Sequence, residues 1–472
     1  MRYRPDPSTR LLPDGRTLIG GSPLRLFRLT AGGGRWFQSL VGGEDLDVPG
    51  PRGPEGSAGV GGALLRRLLD AGAVHPDPRS GPVDQVAGGA PPACTVVVPV
   101  RDRPEQLASL LESIDRAGGV AEVVVVDDGS LDAAAHEQVA ERFGASYLRL
   151  ERSRGPAAAR DAGIRLAGHE VVVLVDSDVV VTVGWLEPLL AHLADPVVAA
   201  VAARVRTAAD PAGSGRLAGY ESRRSPLDLG DVPAPVAAGT RVAYVPAAAL
   251  LLRRAAYLDV GGFDVELRFG EDVDLEWRLA DRGWTVRYEP ASVVFHPPRP
   301  DVGKWLRQRF EYGTAAAALD RRHPGSVAPW RASRWSLLVW LLVLAGHPGA
   351  ALLVAGGTGA ALARRLDDLP ASEAVAMVGR GHLAAGRSLA GALVRTWWPL
   401  VLVGSCCSRR IRRAGALALV VAVLDRSRSA GAGGSPTDLP LGVLDDVAYG
   451  AGVWWGCVRH RRWGPLVPTL DP

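Results

Sequence analysis

Val171-Val172-Val173-Leu174-Val175-Asp176-Ser177-Asp178 is a run of apolar residues that stops on a pair of carboxylates. An unalternating, β-branched run of this length fits a strand buried on both faces. Two more such runs lie upstream: Thr95-Val96-Val97-Val98-Pro99, and Val123-Val124-Val125-Val126, which ends on Asp127-Asp128. Ala-rich helical stretches separate them. Short apolar strands alternating with helices predict an α/β domain over residues 91–300, with a mainly parallel sheet flanked by helices. Ligands of such sheets bind beyond the carboxyl ends of the strands, so the acidic residues there are the first candidates for chemistry.

Asp176 and Asp178, one residue apart at a strand end, suit a hard divalent cation shared with diphosphate oxygens. A departing nucleoside diphosphate develops charge that such a cation neutralises. Asp127 and Asp128 suit a base N–H or ribose hydroxyls. A third cluster, Gly270-Glu271-Asp272, opens a helix that Leu275, Arg278 and Leu279 continue and Gly283 ends. There Asp272 is placed to act as a general base. Taken singly, none of the clusters decides for chemistry over an acidic turn or a cap favoured by the helix dipole.

Together and in this order, the clusters resemble family 2 glycosyltransferases of the GT-A fold across about 200 residues. Pro99-Val100-Arg101-Asp102-Arg103-Pro104 is similar to the family's first-strand nucleotide motif, and Asp127-Asp128-Gly129-Ser130 to its uridine-contacting loop. Gly155 to Gly163 resembles the helix after the third strand, carrying Arg160 and, where an asparagine is common, Asp161. Asp176-Ser177-Asp178 matches the metal motif, Gly270-Glu271-Asp272 the acceptor-site motif, and Val293-Val294-Phe295-His296 the late histidine that completes metal or diphosphate binding. The resemblance implies nucleotide-sugar contacts from Pro99, Arg101, Asp127, Asp128, Arg160, Asp161 and Asp176. It implies Mg²⁺ or Mn²⁺ on Asp178 and His296, and catalysis by Asp272 with Glu271. The implied reaction is a single in-line displacement from a UDP-sugar, giving a β-linked product from an α-linked donor.

With 472 residues there is room for two or three domains. A formal charge of +4 at a pI of about 9.0 comes mostly from arginine, and no motif favours nucleic acid as a partner. Cys94, Cys406, Cys407 and Cys457 have neither CxxC nor metal-ligand spacing, which predicts a reducing compartment. The first residues lack the apolar core of a secretory signal. A dehydrogenase reading fails because no GxGxxG follows the first strand.

Residues 1–80 predict a small β/α unit: a strand–turn–strand over 14–21, a Gly- and Pro-rich loop over 49–62, and an amphipathic helix over 63–72. A linker over 79–92 follows. Residues 301–472 predict a mostly helical, apolar region. Residues 336–363 carry no formal charge, although His347-Pro348-Gly349 interrupts them, and 388–408 hold Arg395 and a Trp397-Trp398 pair suited to an interface. We expect this region to associate with the cell membrane and the catalytic domain to face the cytoplasm, where nucleotide sugars are made.

The whole arrangement resembles glycosyltransferases of the mycofactocin system. This implies a peptide-derived redox cofactor as acceptor, with glucose as the expected hexose. Residues 1–80 would then resemble winged-helix peptide-recognition domains that meet a precursor peptide or other maturation enzymes. The competing enzyme class is a membrane glycosyltransferase acting on lipid or polysaccharide. Gln308 without a spaced Arg-Trp argues against its processive members. A non-catalytic scaffold binding sugar nucleotide or peptide is the reading from another class.

Overall fold

The three apolar runs become adjacent parallel strands. The computed structural model describes residues 2–42, 60–78, 92–208, 215–298, 301–366, 368–429 and 438–471. They fall into two compact units, Met1–Gly213 with Ser225–Pro298, and Ser214–Arg224 with Arg299–Pro472. Most of the expected 49–62 loop and 79–92 linker lies outside the described residues.

In the first unit the chain opens with β1 (Arg2–Pro5), β2 (Arg10–Leu11), β3 (Thr17–Gly20), β4 (Arg25–Arg28), α1 (Ala31–Val41), α2 (Val60–Asp70) and β5 (Val74–Asp77). Strands β2, β3 and β4 form an antiparallel sheet, and β1 pairs with β5. Leu18, Phe27, Phe37, Leu65 and Leu68 are buried together as the core of this segment. The turn before β3 is closed by Asp14, whose Oδ1 accepts the N–H groups of Arg16 and Thr17.

The large sheet follows from β6 (Cys94–Val100), α3 (Pro104–Ala117), β7 (Glu122–Asp127), α4 (Ala133–Arg142), β8 (Ser146–Arg149), α5 (Pro156–Leu166) and β9 (Val171–Val175). It continues through β10 (Val180–Val181), α6 (Glu187–Ala191) and β11 (Val198–Thr207). After α7 (Arg216–Arg224), which belongs to the second unit, come β12 (Ala234–Val236), β13 (Ala249–Arg253), α8 (Arg254–Asp259), α9 (Glu271–Asp281) and β14 (Thr285–His296). The strand order is β10-β14-β11-β13-β9-β6-β7-β8, with β12 on β14. Strands β9, β6, β7 and β8 are parallel, whereas β13 runs antiparallel to both β9 and β11. The sheet is therefore mixed, and the start of β13 comes to the edge where β6, β7 and β9 end.

Side chains alternate along each strand. Val96, Val98, Val173 and Val175 pack with Leu107, Leu110 and Ile114 of α3 on one face. Val97, Val124, Val172 and Leu174 pack with Ala157 and Ile164 of α5 on the other. Both faces are covered, which is why the runs show no polar alternation. Pro99 sits beyond the last β6–β9 pair, Val97↔Leu174, so its missing N–H costs no bond to β9.

The second unit comprises α7, α10 (Val302–Arg322), the parallel pair β15 (Arg331–Ser333) and β16 (Thr469–Asp471), and a series of helices. These are α11 (Arg334–Leu344), α12 (Pro348–Arg365), α13 (Ala371–Arg395), α14 (Trp398–Cys407), α15 (Arg409–Ser429) and α16 (Asp438–His460). Helices α10 and α16 meet backbone to backbone: a Cβ on Gly452 would stand 2.0 Å from the Phe310 carbonyl oxygen. The uncharged 336–363 stretch is divided between α11 and α12 at His347-Pro348. Among the described residues no single helix is long and apolar enough to cross a membrane, and α13 with α14 forms one pair, bent by 83°, that passes by length and composition.

Candidate active site

Parallel pairing brings the ends of β6, β7 and β9 to one edge of the sheet, with the start of β13, the end of β14 and the start of α9. Gly270 caps α9 with φ of 79°, a left-handed conformation that suits glycine, and directs the chain into Glu271 and Asp272.

Arg160 ties these clusters together. Projecting from α5 and buried, it donates from Nη2 to Asp176 Oδ1 at 2.6 Å and from Nη1 to Glu271 Oε1 at 2.8 Å. Burial opposes the guanidinium charge, but Asp176 and Glu271 hold its pKa above the ordinary arginine value. The metal motif and the acceptor motif thus share one buried cation. Burial, and then the Asp272 carboxylate, push the Glu271 pKa up to about 7 against the pull of Arg160. Burial also raises Asp272, which Arg160 opposes. Half-buried Asp272 accepts the Ala247 N–H through Oδ2 at 3.4 Å.

Asp178 lies across from His296, with Oδ2 to Nε2 at 3.4 Å, and takes a 2.6 Å bond from Arg103 Nη1. His296 Nδ1 lies 2.7 Å from the Pro297 carbonyl oxygen, a contact that orients the ring with Nε2 toward Asp178. A carboxylate and an imidazole are a donor pair that would suit a divalent ion. Among the described residues no cluster of three or more His, Cys, Asp or Glu side chains has metal-binding geometry, so Asp178 and His296 are a partial site.

The other expected contacts are placed differently. Asp127 is fully buried, its oxygens accepting from Ser130 N–H at 2.8 Å and the Tyr147 hydroxyl at 2.7 Å. Burial works against its charge, yet these bonds hold its pKa below the usual value. Asp128 gathers the next loop, accepting from the Ser153 hydroxyl and the Arg154 and Gly155 N–H groups. Arg101, on the rim, donates to the Ser153 hydroxyl at 2.8 Å. Pro99 is buried in β6. Asp161 lies outside this group: it accepts from the Tyr257 hydroxyl at 2.7 Å and Arg165 Nε at 2.8 Å, beside α8.

Sequence reading gives no role to four participants, Asp102, Arg103, Glu276 and Trp277. Arg103 enters the sequence only as one residue of the first-strand motif. Asp102 beside it holds a left-handed φ of 53° and accepts the Leu131 N–H, which turns the chain there. Glu276, one turn beyond Asp272, is fully buried; its Oε2 accepts the Val245 N–H at 2.9 Å and its Oε1 has no hydrogen-bond partner. Trp277 donates to the Ala243 carbonyl at 2.7 Å. Asp272, Glu276 and Trp277 thus fasten the 243–247 segment to α9. Glu276 carried a signal in its i+4 spacing from Asp272, whereas Ala243, Val245 and Ala247 contribute only backbone.

The family model for glycosyl transferase family 2 matches residues 95–254. Over 98% of this chain and 97% of the relative, the sequence is 39% identical to a pre-mycofactocin glycosyltransferase of Mycobacterium tuberculosis. The chain belongs to the pre-mycofactocin glycosyltransferase family, within glycosyl transferase family 2. It is a glycosyltransferase, and its mixed sheet flanked by helices with a mostly helical C-terminal region agrees with the expected fold class. The glycosyltransferase AglE of Haloferax volcanii is 25% identical over 53% of this chain and 81% of its own length. Among solved structures, a mannosyltransferase of Pyrobaculum calidifontis in complex with GDP-Man and Mn²⁺ aligns with a TM-score of 0.40. It is 21% identical and the match covers 77% of this chain and 92% of that one.

Proposed function

We propose that this chain transfers a hexose, with glucose expected, from a UDP-sugar to the mycofactocin redox cofactor or its precursor, with inversion to a β-linked product. The observation that carries the reading is the Arg160 bridge, which joins Asp176 of the strand-end pair to the Glu271-Asp272 pair at one edge of the sheet. The full-length likeness to a protein named for that acceptor supports it.

In this mechanism Asp272 removes the proton of an acceptor hydroxyl while its oxygen forms a bond to the anomeric carbon. The bond from that carbon to the diphosphate oxygen breaks on the opposite face, and UDP leaves with the electron pair. Arg160 holds Asp176 and Glu271 in register and keeps positive charge near the reacting groups. Asp178 and His296 would hold Mg²⁺ or Mn²⁺, which when bound supplies charge neutralisation for the departing diphosphate. Asp128, Arg101 and the 153–155 loop would form the floor for the nucleotide, and Pro99 and Asp127 its support. We further propose that residues 1–80 meet the precursor peptide or maturation enzymes, and that the second unit holds the chain on the cytoplasmic face of the membrane.

The uncharged, exposed face of α14 favours one second reading, a lipid-linked acceptor. Purified protein with Mn²⁺ or Mg²⁺ and a panel of UDP-sugars would be given either the small-molecule precursor or a membrane lipid extract, and products followed by mass spectrometry. Hexose increments on the precursor, lost in Asp178→Ala and Asp272→Asn, are the expected result. Sugar on the lipid fraction alone would replace the acceptor. Equal silence of wild type and variants, with UDP-sugar still bound, would mean a scaffold.

A further inference from the structure

Helix α14 carries no charged side chain and none of its residues is buried. Leu400, Leu402 and Val403 are 58%, 58% and 70% exposed. Helix α15 folds back on it with only Ser408 between. Small residues set the contact: a Cβ on Gly404 would stand 2.8 Å from Ile411, and one on Gly415 would stand 2.7 Å from Val401. On α15 the exposed Leu417, Val420 and Leu424 recur at helical spacing along one face. Arg413 and Arg410 continue the same row, and Arg409, Arg410, Arg412 and Arg413 are all exposed at the turn between the helices.

We propose that the α14–α15 hairpin lies in the plane of one membrane leaflet, its apolar face among the acyl chains and its four arginines on anionic lipid headgroups. This rests on, and deepens, the reading that the second unit is held on a membrane. Length and charge fix the orientation. Ten helical residues reach about 15 Å, half of the roughly 30 Å hydrocarbon core. An upright hairpin would therefore carry four guanidinium groups to the bilayer centre, a position charged side chains avoid. Lying flat, the same arginines reach back to phosphate oxygens while their stems cover apolar surface. Charge complementarity selects anionic lipid over a second copy of the chain, because two-fold pairing through this face concentrates both arginine clusters in one interface.

The full chain would be floated with phosphatidylcholine vesicles and with vesicles containing one quarter phosphatidylglycerol, at low and high salt. Cys406 and Cys407 are exposed on α14 while Cys94 and Cys457 are buried, so an environment-sensitive thiol dye reports on the hairpin. The expected result is at least tenfold stronger binding to the anionic vesicles, lost in 0.5 M salt and in R409Q/R410Q/R412Q/R413Q. The dye should shift to the blue and be quenched by agents added outside the vesicles. Transfer to a soluble acceptor should be unchanged in that variant. Equal flotation with both lipids, unaffected by the arginine changes, overturns the headgroup inference and leaves the membrane reading standing. Quenching only from the lumen overturns the in-plane orientation. No flotation with any vesicle overturns both, and a dimer abolished by Leu402→Asp/Val403→Asp would then assign the face to a second copy.

Discussion

Asp272 and Glu271 share a site whose net effect favours protons, and this has a direct kinetic consequence. As pH falls through about 7 the pair takes up a proton, so kcat/KM should decline on the acid side with a midpoint near neutrality. A flat profile from pH 5 to 8 would mean that proton uptake by this pair does not limit the reaction. Asp272→Asn should lower kcat by about 10²–10⁴-fold while UDP-sugar affinity, measured by calorimetry, stays within a few-fold. Glu276 gives a different readout. Burial raises its pKa well above that of the unfolded chain. Its contribution to stability is therefore complete below the free carboxyl value of about 4.3 and is lost as pH rises through the folded value. Glu276→Gln keeps an acceptor for the Val245 N–H and cannot ionise. Its melting temperature should exceed that of wild type by a few degrees at pH 8 and converge with it near pH 4.

Helix α9 is the element on which the site depends, because three of its side chains hold the 243–247 segment and its first turn carries the acidic pair. Its start is set by Gly270 in the left-handed region. Gly270→Ala should cost about 1 kcal/mol of stability, read by denaturant midpoint. It should also lower kcat by more than that loss explains, since Glu271 and Asp272 turn with the cap; activity tracking only the folded fraction would contradict this. Parts of this element were visible in the chain: acidic residues at its start, Leu275 and Leu279 inward, Gly283 at its end. The 243–247 partners were not, because backbone N–H and carbonyl groups leave no trace in side-chain identity.

At the scale of the first unit, residues 2–42 and 60–78 are fastened to the sheet by charged side chains. Asp6 accepts from His75 Nε2 at 2.8 Å and from Arg241, while Arg66 reaches Asp195 at 2.7 Å and Thr285 at 3.2 Å. Burial works against the Asp6 charge, but bonds from His75, Arg241 and Ser8 hold its pKa below the usual range; burial lowers that of His75 against the pull of Asp6. Both folded values lie below the unfolded ones. Stability from His75 is thus full above about 6.5 and falls as pH drops through its folded value, and Asp6 adds a further loss below about 3.9. From pH 7 to pH 5 the melting temperature of wild type should fall relative to that of His75→Gln, which takes up no proton. Asp6→Ala should cost about 3 kcal/mol or more by leaving His75 and Arg241 without their shared acceptor, measured by denaturant unfolding at pH 7.5.

The sequence alone determined what local burial and spacing encode: the apolar strands, the acidic residues at their ends, the glycine-started helix of Asp272, and the break at His347-Pro348. Periodicity reports whether a residue faces a core, and a motif reports order along the chain. Neither reports which charges meet. Only the tertiary structure decided that Arg160 bridges Asp176 and Glu271, that Arg103 stands on Asp178, and that Asp161 turns to Tyr257. It also decided that β13 runs against its neighbours and delivers the backbone that holds Asp272. These contacts join residues distant in sequence, and they are settled by how helices and loops pack over the sheet edge, where burial makes an unpaired charge costly and so selects the partner.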